Sequence, residues 1–146
     1  MPFCHITLKT QKPLPSAYPR TLKTLGDHLR KRRLDLKLLQ KELAQKIGVC
    51  VSSIYSWENN LSIPAIKHIP KIIEFQGYVP LDTSNLPIGE KIVIYRHLLG
   101  LSQRKLAHQL GIDPSTLSKW ERDKRKPSER FLKRIEKMEL LKEKMF

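Results

Sequence analysis

The chain has 146 residues, 40% of them hydrophobic and 29% charged. That length suits one domain or two very small ones, and no stretch approaches the ~20 uninterrupted apolar residues of a bilayer-spanning helix, so no membrane association is expected. Lys and Arg number 28 against 14 Asp and Glu, a formal charge of +14, which favours a polyanion as partner through long-range attraction.

The N-terminus, Met1 to Thr7, lacks a charged region followed by an apolar run and a small-residue cleavage site, so the expected location is the cytoplasm. Residues 1–23 carry Pro2, Pro13, Pro15 and Pro19 among Lys9, Lys12, Arg20 and Lys23, which reads as an extended basic arm. Cys4 and Cys50 form no CxxC pair, so neither a disulfide framework nor a metal site is expected, and no cofactor is implied.

From residue 25 the chain repeats itself. Residues 25–64 align without a gap on residues 88–127, with 12 of 40 positions identical. Gly26/Gly89, Arg33/Arg96, Gln40/Gln103, Ala44/Ala107, Gly48/Gly111, Trp57/Trp120 and Glu58/Glu121 are among them. Ile47/Leu110, Val49/Ile112 and Ile54/Leu117 keep size and polarity, as equivalent positions in a packed interior must. The chain therefore holds two copies of one fold.

Within the first copy, Leu25, Leu29, Arg33 and Leu36 share a face at helical spacing, and Ile88, Ile92, Arg96 and Leu99 repeat it. Second helices over Gln40 to Ile47 and Gln103 to Leu110 each stop at a glycine, Gly48 or Gly111, where a left-handed residue ends a helix without steric cost. A third helix follows. In the second copy it starts from Asp113 as N-cap with Pro114 at the first helical position; in the first it starts from Cys50, a poor capping residue. Two short helices joined by a tight glycine turn have helix-turn-helix geometry, although a plain αα-hairpin also carries Ala and Gly at these places. An arginine on the inward face of the first helix needs a carboxylate if buried, and the tryptophans read as core, each indole N–H finding an acceptor.

Residues 77–87 are turn-rich and aperiodic and read as a linker, able to span up to ~35 Å if extended. Ser128 to Lys144 is amphipathic, with Phe131, Leu132, Ile135, Met138 and Leu141 on an apolar stripe, and reads as a helix closing the second unit. The expected units are thus an arm (1–23), a first domain (24–76), a linker (77–87) and a second domain (88–146).

Gln40-Lys41-Glu42-Leu43-Ala44-Gln45-Lys46-Ile47-Gly48-Val49 with Ser53-Ile54-Tyr55-Ser56-Trp57-Glu58, and Gln103 to Ile112 with Thr116 to Glu121, resemble the central pattern of the Cro and phage-repressor (XRE) family. The resemblance covers roughly 24–76 and 88–135. It implies an all-α chain of two tandem lambda-repressor-like helix-turn-helix bundles of four to five short helices each. It also implies a transcriptional regulator that binds double-stranded DNA sequence-specifically, the third helix of each repeat entering the major groove. On that resemblance Arg33 with Glu58, and Arg96 with Glu121, are structural ion pairs.

By alignment, base contacts fall on Val51, Ser52 and Ser56 in the first unit and Pro114, Ser115 and Lys119 in the second. Lysine donates to guanine O6 or N7 and valine packs on a thymine methyl. Backbone contacts fall on Gln40 and Gln103 at helix starts, on Tyr55 and Ser118, and on Lys124, Arg125 and Lys126 after the third helix. Where the first helix of unit one reads Arg30-Lys31-Arg32, unit two has Val93-Ile94-Tyr95, an apolar stripe that reads either as simple core or as a face for docking against the first unit or a second chain.

Catalysis is not expected: the five histidines are scattered and no nucleophile has a partner set. The alternative is an antitoxin-like or adaptor role, with a homodimer or a protein partner and DNA binding secondary. RNA binding would call for exposed aromatic platforms.

Overall fold

The structure, a computed structural model, describes residues 17–81 and 85–143. Most of the expected arm (1–16), residues 82–84 of the linker and the side chains of Met138 and Leu141 lie outside the described residues. The described chain is helical: α1 (Leu25–Asp35), α2 (Gln40–Ile47), α3 (Val51–Glu58), a 3-10 turn (Ile66–His68), α4 (Ile69–Gln76), α5 (Ile88–Leu98), α6 (Gln103–Leu110), α7 (Pro114–Glu121) and α8 (Glu129–Glu143). No described helix is long and apolar enough to cross a membrane.

Local chemistry sets these boundaries. Thr24 caps α1 through a reciprocal pair, its hydroxyl accepting from the Asp27 N–H while the Asp27 carboxylate accepts from the Thr24 N–H. Burial pushes the Asp27 carboxyl up, but hydrogen bonds from Asn60, Thr24 and Lys23 outweigh it and leave the pKa lowered. Gly48 and Gly111 end α2 and α6 in the left-handed region, with φ of 81° and 68°. Asp113 caps α7 by accepting from the Ser115 N–H at 2.8 Å, whereas the Cys50 side chain makes no cap hydrogen bond at the start of α3.

Two separate cores result. The first buries Leu29, Leu43, Ala44, Ile47, Ile54, Trp57 and Ile72; the second buries Ile92, Leu106, Ala107, Leu110, Leu117, Trp120 and Ile135. Every member of one core lies 63 positions from its counterpart in the other, the offset of the sequence repeat. Ile72 and Ile135 extend that register into α4 and α8, beyond the residues that align on sequence alone. Each of these helices therefore closes its bundle with an isoleucine at the same place.

Three expectations need correction. Leu36 does not join the buried face of α1: the helix ends at Asp35, and Leu36 is its C-cap, 45% exposed. Trp120 is buried, but its indole N–H has no hydrogen-bond partner; the Phe131 ring packs beside it, 5.2 Å away between centroids. The units are not held apart by an extended linker, because α4 and the 3-10 turn pack directly against α5. There Gly100, with φ of 68°, lies so close to Pro70 that a Cβ would come within 2.8 Å of its Cγ. Val93, Ile94 and Tyr95 on α5 are half-buried, as are Arg30, Lys31 and Arg32 at the equivalent places on α1, and Tyr95 packs against the core of its own unit. The helix as a whole meets the first unit through α4 and the 3-10 turn.

Candidate nucleic-acid interface

Each unit is braced by the same polar network. Arg33 Nε donates to Glu58 Oε1 at 2.6 Å and its Nη2 to Oε2 at 2.8 Å, while Nη1 donates to the Leu38 carbonyl at 2.8 Å. This fork-to-fork geometry suits guanidinium and carboxylate. Arg96 repeats it on Glu121, at 2.7 and 3.4 Å, and on the Leu101 carbonyl at 3.3 Å. Both arginines are 8% exposed. The pairs tie the end of the first helix of each unit to the end of its third.

The glutamines belong to the same network. Gln40 Nε2 donates to Glu58 Oε2 at 2.9 Å, and Gln103 Nε2 donates to Glu121 Oε2 at 2.9 Å. Their side chains are half-buried and lock the start of α2 to the end of α3, and of α6 to the end of α7. Sequence reasoning places them on phosphate and misses this internal partner. The coincidence of an identical Gln, Arg and Glu in both repeats is its only signal.

Sequence reasoning misses a second brace as well. Asn60 and Asp123 sit at left-handed positions after α3 and α7, with φ of 57° and 53°. Asn60 accepts from the Thr24 hydroxyl at 2.6 Å and donates to Asp27 at 3.0 Å; Asp123 accepts from the Gly89 N–H at 3.0 Å. An Asn or Asp just past a helix is the sequence cue, since short polar side chains tolerate that conformation.

This bracing leaves the leading edges of α3 and α7 outward. Val51 is 42% exposed and Ser52 is exposed, with Ser56 half-buried behind them. On α7, Pro114, Ser115 and Lys119 are exposed and Ser118 is half-buried. A depression of about 250 Å³ on this face is lined by Ser115, Ser118, Lys119, Arg122 and Lys124. The structure so brings together four expected contacts and adds Arg122, one helical step beyond Lys119.

Arg125 and Lys126 diverge from Lys124. They line a separate groove of about 360 Å³ with Asp113, Thr116, Ser128 and Phe131, so the basic run straddles α7. Tyr55, 52% exposed, takes the place of Ser118 on α3.

Exposed Cys50 lies at the lip of α3, its Sγ 3.1 Å from Ser52 Oγ and 3.0 Å from Ser53 Oγ. Those hydroxyls lower the thiol pKa to about 7. Among the described residues no cluster of His, Cys, Asp and Glu is arranged to hold a metal ion.

Comparison with known families finds a helix-turn-helix family matching twice, over residues 29–83 and 92–138, together more than half of the chain. No curated protein and no solved structure matches it.

Proposed function

This chain belongs to the XRE/Cro-type helix-turn-helix family of DNA-binding regulators, and on that premise we propose that it regulates transcription by sequence-specific binding of double-stranded DNA, with α3 and α7 presented to the major groove. The observation that carries the reading is the outward leading edge of the third helix in each unit, held by an identical internal Arg-Glu-Gln network. Because those charges are satisfied inside the protein, the groups left on the face are the ones suited to DNA. Lys119 reaches guanine, Ser52, Ser56 and Ser115 serve more than one base, and Val51 and Pro114 offer apolar contact. Lys124, Arg125 and Lys126 fix register on phosphate, with Tyr55 and Ser118 as further hydroxyl donors. An amide nitrogen carries two N–H groups, so Gln40 and Gln103 each keep one for phosphate after bonding to glutamate. The family is not generally enzymatic, which favours binding over catalysis.

The test is selection of retained duplexes from a random pool at rising salt. Enrichment of a defined site is expected, together with steep weakening as salt increases. Lys119→Ala should relax the preference at one base pair, at a loss of about 1 to 3 kcal/mol. Retention indifferent to sequence would instead favour the antitoxin-like or adaptor reading, in which the exposed Leu61 and Ile63, at 69% and 90%, meet a protein.

A further inference from the structure

The two halves of the chain carry equal net charge, 13 basic and 6 acidic residues in 1–84 against 15 and 8 in 85–146, yet the equivalent faces do not. From Ile47 to Ile66, the stretch holding the turn, α3 and the loop after it, there is no Lys or Arg. The matching stretch of the second unit, Leu110 to Glu129, holds Lys119, Arg122, Lys124, Arg125 and Lys126, all exposed.

Three of the nearby acids are otherwise engaged. Glu121 pairs with Arg96, Asp113 caps α7 and Asp123 accepts from Gly89. They hold the framework while the cations line the surface. At the corresponding places the first unit exposes apolar and aromatic side chains. Val51, Tyr55, Leu61 and Ile63 are 42%, 52%, 69% and 90% exposed, where the second unit has Pro114, Ser118, Lys124 and Lys126. The basic residues of the first unit fall elsewhere, among them Arg30, Lys31 and Arg32 on α1, Lys41 and Lys46 on α2, and Lys67 and Lys71 around the start of α4.

Phosphate is held by cations and by N–H and O–H donors at the rim of the recognition helix, but only the cations neutralise it, and each phosphate neutralised adds to the salt dependence of binding. We propose that the charge-neutralising grip on duplex DNA belongs to the second unit, through Lys119, Arg122 and the Lys124-Arg125-Lys126 run on both flanks of α7, and that the rim of α3, where Tyr55 offers phosphate only a neutral hydroxyl, adds nothing to the salt dependence. The inference rests on the reading of the chain as a duplex-DNA binder and assigns that binding unequally within it. Similar frameworks then carry different surfaces: one unit anchors, and the other presents an apolar edge.

The test uses the full chain and a labelled mixed-sequence duplex, with affinity followed against salt concentration. Replacing Lys124, Arg125 and Lys126 by Ala is expected to flatten the plot of log affinity against log salt by about 3, close to 0.9 for each phosphate no longer neutralised. Lys41→Ala with Lys46→Ala, which removes the exposed cations of the first unit's helix-turn-helix, is expected to leave the slope unchanged. All five positions are exposed, and an unaltered circular dichroism spectrum verifies that each variant is folded. Equal flattening by the two variants, or a larger effect from the first unit, would overturn the unequal assignment while leaving duplex binding intact. A wild-type chain that does not bind the duplex, or binds with no salt dependence, would remove both readings together.

Discussion

Glu58 accepts three N–H groups, two from Arg33 and one from Gln40, and its side chain is 1% exposed. Removing the guanidinium would leave that carboxylate buried without its cation, which typically costs about 3–5 kcal/mol. Arg33→Ala and Arg96→Ala are each expected to lower the unfolding free energy by an amount in that range, seen as a lower urea midpoint and a lower melting temperature; an unchanged midpoint would refute a buried pair. Cys50 has a different kind of consequence. Its thiol pKa of about 7 lies below the ordinary value near 8.5, so alkylation by iodoacetamide should reach half its maximal rate near pH 7. Replacing Ser52 and Ser53 by Ala removes the hydrogen bonds to sulfur and should move that midpoint upward. That an arginine on an inward face needs a carboxylate was legible in the sequence, whereas the choice of Glu58 and Glu121 as partners was implied by the family resemblance. The glutamine's internal bond and the sulfur's two hydroxyl neighbours were not legible, since both depend on rotamers.

Elements meet at their closest where glycine recurs. A Cβ on Gly26 would overlap the Trp57 carbonyl oxygen, and one on Gly89 would come within 2.6 Å of the Trp120 carbonyl and 2.8 Å of the Glu121 carbonyl. Backbone cannot yield as a flexible side chain does, so α1 and α3, like α5 and α7, would have to separate. Gly26→Ala and Gly89→Ala are expected to destabilise their units by about 1–3 kcal/mol, in the range of an overpacked core, measured by denaturant unfolding. Placing both substitutions in one chain should give nearly additive effects if the two cores are energetically separate. Helix positions were legible from apolar spacing, glycine stops and the Asp113-Pro114 start. The crossings were not: identity at Gly26/Gly89 signals a constraint without saying that a carbonyl causes it.

Across the whole molecule, α4 and the 3-10 turn rest on α5, with Gly100 against Pro70. This packing should couple the unfolding of the two units. Gly100→Leu would drive a side chain into Pro70 at a position already in the left-handed region, and calorimetry is expected to show one transition broadening or dividing into two. A variant that merely shifts a single sharp transition would indicate strain in the second unit without coupling to the first. By itself the amino-acid order determined the duplication and the short helices, because periodicity and a fixed offset of 63 record packing that recurs locally. Tertiary structure alone decided that the units touch, that the glutamines are held inside and that the basic run divides around α7. Those outcomes depend on side chains distant in the chain arriving at one place, and no local spacing encodes that arrival.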